Sequence, residues 1–190
     1  MTEKIKIKKT VLVPLADGFE EIEAVTIIDI LRRAEVEVIV AGVGKREIIG
    51  AHGITVGADV LLEQYQGSPD AVVLPGGMPG AKNLKESEVL KALLLKMKKA
   101  DKLIGAICAS PAVVLASQGL LDGKKATCYP GFENELGPKV IFSPERVVRD
   151  GQIVTSRGPG SALEFSLELV KELMGPASAE KILQATLAKT

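Results

Sequence analysis

Cys108 has the strongest claim to chemistry in this 190-residue chain. It stands in Gly105-Ala106-Ile107-Cys108-Ala109-Ser110-Pro111, where an apolar strand pattern gives way to a helix within two small residues. Such a junction has to bend sharply. It is like the elbow that lifts a nucleophilic serine above a sheet, with Cys in place of Ser and Gly105 three residues ahead instead of two. Unpaired amides at the start of the following helix favour an anion and can draw a thiol pKa from ~8.5 into the ~3.5–7.5 range. The expectation is a nucleophilic thiolate activated by its position. Free cysteine is otherwise among the most buried residue types, and Cys128, inside an expected strand, reads as core filler.

Two more turns carry residues that complement a thiolate. Pro75-Gly76-Gly77 offers amides without side chains, which can approach a substrate oxygen and form an oxyanion hole with the amides of the elbow. Asp17-Gly18 leads into Glu20, Glu21 and Glu23. One carboxyl from that cluster could accept the thiol hydrogen bond or shuttle a proton with a raised pKa. Acidic residues at a helix start also compensate its dipole, and periodicity does not choose among the three.

The elements that must position these turns alternate. The Ile5–Ala16 stretch begins with Ile5 and Ile7 and ends in Val11-Leu12-Val13, the pattern of a strand entering a sheet covered on both faces. Ala24, Ile27, Ile28 and Leu31 mark one helical face, ending near Arg32-Arg33, where positive charge suits a helix C-terminus. Strands follow at Val36–Ala41, Ala71–Leu74 and Leu103–Ile107, with a short edge hairpin between Lys45 and Asp59. Helices are expected over Ser87–Lys99, with Ser87 as N-cap, and Ser110–Ser117, ended by Gly119. Lys124–Tyr129, Val140–Phe142, Arg146–Arg149 and Gln152–Thr155 read as strands, the last two joined by an Asp150-Gly151 turn. Pro159 opens a helix that Gly175 closes, and a final helix follows Pro176. Strands alternating with helices give a mostly parallel sheet, so the expected fold is a single-domain, three-layer, flavodoxin-like α/β sandwich. In such sheets ligands bind at the carboxyl ends of the strands, where all three turns fall.

Composition narrows the function classes. The 24 basic and 24 acidic residues cancel, so no basic field exists to hold nucleic acid. The lysines of Lys4–Lys9 and Lys96–Lys102 alternate with apolar residues and read as solvated faces. No signal-peptide pattern or membrane-length apolar run stands out, and two cysteines are no disulfide framework, so the cytoplasm is the default expectation. With one histidine, His52, the usual zinc and iron ligand sets are missing, and no metal is expected.

Four motifs in order resemble the DJ-1/ThiJ/PfpI superfamily, closer to the DJ-1 branch than to the PfpI proteases. They are Gly18-Phe19-Glu20-Glu21-Ile22-Glu23-Ala24-Val25; Val73-Leu74-Pro75-Gly76-Gly77 with Gly80-Ala81; Ala106-Ile107-Cys108-Ala109-Ser110-Pro111; and Thr155-Ser156-Arg157-Gly158-Pro159-Gly160. The resemblance implies that Cys108 is the nucleophile, Glu23 the buried carboxyl that hydrogen-bonds it, and Gly77 and Ala109 the amides over the sulfur. It also implies a homodimer closing over the region of Arg157 and Pro159. The implied activity is glutathione-independent glyoxalase chemistry on methylglyoxal and glyoxal, or removal of their early protein adducts, without a cofactor. The rival reading is an oxidative-stress sensor or chaperone whose Cys108 oxidises to the sulfinic acid. Where many members have histidine before a proline, this chain has Tyr129, which can hydrogen-bond but is a poor base at neutral pH. His52 matches a position often occupied by Arg and is expected at the surface or near a dimer interface. Ala109 stands where the protease branch typically has histidine, which argues against a Cys-His peptidase or an amidotransferase-like hydrolase.

Overall fold

The computed structural model describes residues 8–188, so Ile5 and Ile7 of the expected first strand lie outside the described residues. The central sheet has seven strands: β1 (Thr10–Leu15), β2 (Glu37–Gly42), β5 (Val60–Leu61), β6 (Ala71–Leu74), β7 (Leu103–Ile107), β10 (Val147–Asp150) and β11 (Ile153–Ser156). Their spatial order is β10-β11-β7-β6-β1-β2-β5. Every pairing is parallel except β10 with β11, the pair joined through Gly151. The mostly parallel α/β sandwich expected from the alternation is the observed fold.

Helices cover both faces. On one side α1 (Glu21–Arg33), α4 (Ala162–Met174) and α5 (Pro176–Ala185) bury Ile27, Leu31, Phe165 and Leu169 against Val11, Val13 and Val73. On the other side α2 (Gly80–Glu86), α3 (Glu88–Lys99) and the helix after Cys108 bury Leu84, Leu90, Leu94 and Val114 against Leu12, Val72 and Ile104. Neighbours such as Val72 and Val73 therefore serve opposite cores, and this two-sided burial makes the strands continuous apolar runs. Gly105 completes the packing: a Cβ there would meet Phe165 at 3.0 Å, so its bare backbone lets α4 lie close to the sheet.

Several expectations need correction. The hairpin between Lys45 and Asp59, β3 (Glu47–Ile49) with β4 (Thr55–Gly57), forms its own two-stranded sheet, and the main sheet's edge beside β2 is β5. Only Lys125–Ala126 of the expected 124–129 strand pairs, as β8, with β9 (Ile141–Phe142). Beyond it the chain leaves the ladder so that Thr127 N donates to Thr155 Oγ1 and Tyr129 N to the Cys108 carbonyl. The helix after the elbow is wide over Pro111–Leu115 and tightens over Ala116–Gln118 before Gly119, at φ 66°, ends it. Pro159 opens a single tight turn, Pro159–Ser161, from which α4 starts. The α2 helix was not foreseen. The cap at Ser87 was, and its Oγ accepts from Leu90 N at 3.3 Å.

Candidate active site

Strand β7 ends at Cys108, whose φ of 65° lies in the left-handed region that a cysteine rarely occupies. Such a backbone costs about 1–3 kcal/mol and persists only when its surroundings enforce it. Both of its peptide groups are tied down. Cys108 N donates to the Ser156 carbonyl at the end of β11 (2.9 Å), and the Cys108 carbonyl accepts from Tyr129 N (2.8 Å). The elbow expected from the sequence is therefore present, with the residue 9% exposed.

Glu23, in the first turn of α1, is fully buried beside it. Its Oε2 accepts from Gly76 N at 2.7 Å, while Oε1 is buried without a hydrogen-bond partner. Burial pushes the Glu23 carboxyl up to about 7 despite the opposing pull of the Gly76 amide and the thiol. For Cys108 the expectation of a depressed pKa is overturned. Burial, then the charge of Glu23 and its hydrogen bond to the thiol, push Cys108 up to about 12, against the smaller opposing effect of the Gly77 and Ala109 amides. Burial is the largest cost, and a second negative charge in the same dry volume adds to it, so the two amides are outweighed. Near neutral pH the thiol keeps its proton, and Glu23 is the group poised to change state.

The Pro75-Gly76-Gly77 turn separates the pair. A Cβ on Gly76 would lie 2.5 Å from Cys108 Cβ and 2.9 Å from Glu23 Oε2, so only glycine fits between the cysteine and the carboxyl. Gly77, at φ 89°, would drive a Cβ into Glu20 N. Both peptide units of the turn are held at their carbonyls as well: Ser110 Oγ donates to the Pro75 carbonyl (2.6 Å) and Glu20 N to the Gly76 carbonyl (3.0 Å). Gly77 and Ala109 present their amides to the sulfur. Gly76 N, expected from the sequence as an oxyanion-hole amide, is instead engaged by Glu23, and the role of the Ser110 hydroxyl went unforeseen where the residue stood out only as small.

The remaining residues form the rim. Tyr129 is half exposed and packs on Gly158, where a Cβ would meet its ring at 3.0 Å; its ring also meets Phe132 edge-on at a centroid distance of 6.5 Å. Arg157 follows the strand end that holds Cys108 and donates to the Pro144 carbonyl (3.1 Å), with half-buried Pro159 two residues on. His52 lies away from the thiol at the surface, its Nδ1 2.9 Å from Glu21 Oε2 and 3.5 Å from Glu20 Oε2. These three side chains bring potential metal-ligating atoms within 4.8 Å of one another. Yet the Glu21 oxygens already accept from His52 N (2.7 Å) and Ile54 N (3.3 Å) and face the His52 ring, which makes Glu21 a clamp for the hairpin loop. Cys128 is fully buried in the opposite core, and both cysteines are free thiols. A groove of about 850 Å³ between β10, α4 and α5 is lined by residues such as Arg146, Leu167 and Leu183 and holds no cysteine, serine or histidine.

An elbow cysteine with a buried glutamate and a glycine turn can now be set beside known proteins. The family model described as DJ-1/PfpI matches residues 9–172. The chain belongs to the DJ-1/PfpI family. It is 45% identical over 179 residues to Protein DJ-1 homolog B of Arabidopsis thaliana, covering 93% of this chain but only 41% of that plant protein. Thus the chain spans less than half the length of this relative. The Caenorhabditis elegans protein named glutathione-independent glyoxalase DJR-1.2 is 35% identical over 178 residues, covering 92% of each chain. Among solved structures, oxidized Toxoplasma gondii DJ-1 superposes with a TM-score of 0.93 at 45% identity, covering 96% of this chain and all of that one. No helix among the described residues is long and apolar enough to cross a membrane.

Proposed function

We propose that this DJ-1/PfpI protein is a cofactor-independent glyoxalase, converting methylglyoxal or glyoxal to the hydroxyacid through Cys108 and Glu23. The observation that carries the reading is the buried carboxyl raised to about 7 against the elbow thiol. A group with that pKa can both accept and return a proton near neutrality. The similarity to the nematode glyoxalase supports the same chemistry.

Ionised Glu23 takes the thiol proton as the sulfur attacks the aldehyde carbon, and the Gly77 and Ala109 amides stabilise the oxyanion. Protonation of that oxygen gives a hemithioacetal. Glu23 then removes the proton from its carbon and delivers one to the adjacent former ketone carbon through an enediol, leaving a thioester. Water hydrolyses the thioester to lactate and regenerates the thiol, so one water is consumed per methylglyoxal. The same attack on hemithioacetal or aminocarbinol adducts of proteins would make the enzyme a deglycase.

Two further features belong to the proposal. The chain works as a homodimer: Ile22, Val25, Ile49 and Ile54 are exposed around the start of α1 and the adjoining hairpin, where His52 also lies. An oxidative-sensor role is the second reading. It is favoured by the contrast between Cys108, reachable from solvent beside two amides that would hold sulfinate oxygens, and Cys128, which is sealed.

Lactate production from methylglyoxal by wild type, Cys108→Ser and Glu23→Gln tests the proposal. Turnover abolished in the first and cut by about 10²–10⁴-fold in the second is expected. Wild type without turnover, whose Cys108 selectively gains two oxygens under mild peroxide, replaces the enzyme with the sensor. Sedimentation at micromolar concentration reads the dimer, and a monomer refutes it.

A further inference from the structure

The Ser110 hydroxyl is fully buried and donates to the Pro75 carbonyl at 2.6 Å. That carbonyl belongs to the same peptide unit as Gly76 N–H, which donates to Glu23 Oε2 at 2.7 Å. Three groups thus stand in series: a hydroxyl, one planar peptide and a carboxylate. Drawing electron density toward a peptide oxygen makes its N–H a stronger donor, because the amide is conjugated. Hydrogen bonds chained in this way strengthen one another by about 10–30% each in a medium of low polarity. The Gly76 amide is the largest influence holding the Glu23 pKa down against burial.

We propose that Ser110 is a positioning residue that sets the proton affinity of Glu23, acting through the Pro75–Gly76 peptide and never touching substrate. It also ties the elbow to the glycine turn. The hydroxyl thus fixes the distance between the two strand ends that carry the Gly77 and Ala109 amides. Its removal leaves the Pro75 carbonyl, in a buried position, without this donor and weakens the Gly76 bond to the carboxylate. The proton on Glu23 then becomes harder to remove. The consequence for catalysis is an acid limb displaced to higher pH, with Glu23 less often in the form that accepts the thiol proton.

The inference rests on Glu23 as the titrating acid-base group of the proposed reaction, but its test needs no substrate. The Glu23 side-chain carboxyl carbon is followed by ¹³C NMR against pH, its resonance identified by its loss in Glu23→Gln. Ser110→Ala is expected to raise the midpoint by about half a pH unit. Ser110→Cys, a weaker donor in the same place, is expected to raise it by a smaller amount. A merely structural serine would lower the melting temperature and leave the midpoint where it is. An unchanged midpoint in folded Ser110→Ala overturns the proposal. Should that variant fail to fold, an unchanged midpoint in Ser110→Cys does the same. A midpoint that moves as expected in a protein unable to consume methylglyoxal overturns the glyoxalase reading and leaves the role of Ser110 intact.

Discussion

Glu21 and Glu23 stand two residues apart in the first turn of α1, both buried, yet their proton affinities move in opposite directions. Burial raises each. At Glu21 it is outweighed by hydrogen bonds from the His52 ring, the His52 backbone and Ile54 N, which hold the carboxyl below its usual range. Glu23 has a single amide, Gly76 N, for two oxygens, and faces a thiol that would rather not meet a second charge. Burial therefore does not set a carboxyl's pKa by itself. How deep the carboxylate lies and how many donors replace the lost water decide it together, and Glu21 lies beside the exposed His52 ring. One residue became a loop clamp and the other a poised acid-base group, on the same helix turn.

The sharpest way to break the contrast is Glu23→Gln, which removes the poised group and keeps its shape. The pH profile of Cys108 alkylation by iodoacetamide should rise through a midpoint of about 7 in wild type, as Glu23 ionises and can accept the thiol proton. That step should vanish in the variant. Stability should move the other way. A carboxyl whose folded pKa lies above its unfolded value binds more protons when folded, so the wild-type protein loses stability as pH rises from about 4.5 through about 7. Glu23→Gln is thus expected to be more stable than wild type at pH 8, by roughly 1–3 kcal/mol, and to lose that advantage at pH 4.5. Equal unfolding curves at pH 8 would contradict the strained-carboxylate account.

Next in size, Gly76→Ala forces a Cβ between the thiol and the acid. Overpacking should cost about 1–3 kcal/mol, and turnover should fall by at least tenfold with the thiol still present by titration. A variant with wild-type turnover would show that the pair tolerates separation. Glu21→Gln is expected to cost about 1 kcal/mol at pH 7, through loosened loop contacts that end in solvent at His52. The contribution of Glu21 is present above its unfolded pKa and fades as pH falls through its lowered folded value, so chemical denaturation should show the gap closing in acid. His52→Ala should do least. The histidine pKa is raised by its bond to Glu21, so any stabilisation is complete below about 6.5 and disappears as pH rises through the folded value. A small melting-temperature loss at pH 5.5 that is absent at pH 9 is the expected pattern.

Periodicity and turn chemistry carried the main elements well. Ala71–Leu74 and Leu103–Ile107 were legible to the residue because two-sided burial leaves an uninterrupted apolar run bounded by Pro75 or by the elbow. The segment 124–129 misled because β-compatible residues there are used to reach Thr155 and Cys108 individually, and nothing in their alternation tells a ladder from such contacts. At the site, the elbow could be read from small residues after an apolar strand. The direction of the thiol pKa could not, since it depends on how near a carboxylate from another element comes.

The amino-acid order determined the parallel α/β architecture, the bend at Cys108 and the Pro75-Gly76-Gly77 turn, since each follows from local sterics or from the burial of an element's faces; that positions 76 and 77 admit only glycine comes from the neighbours the fold brings against them. Which of three nearby glutamates meets the sulfur, and that Ser110 grips the Pro75 carbonyl, were decided only when β6, β7 and α1 packed together. Proton affinity and hydrogen-bond partnership depend on distances across the fold, and those distances exist only once the layers have closed.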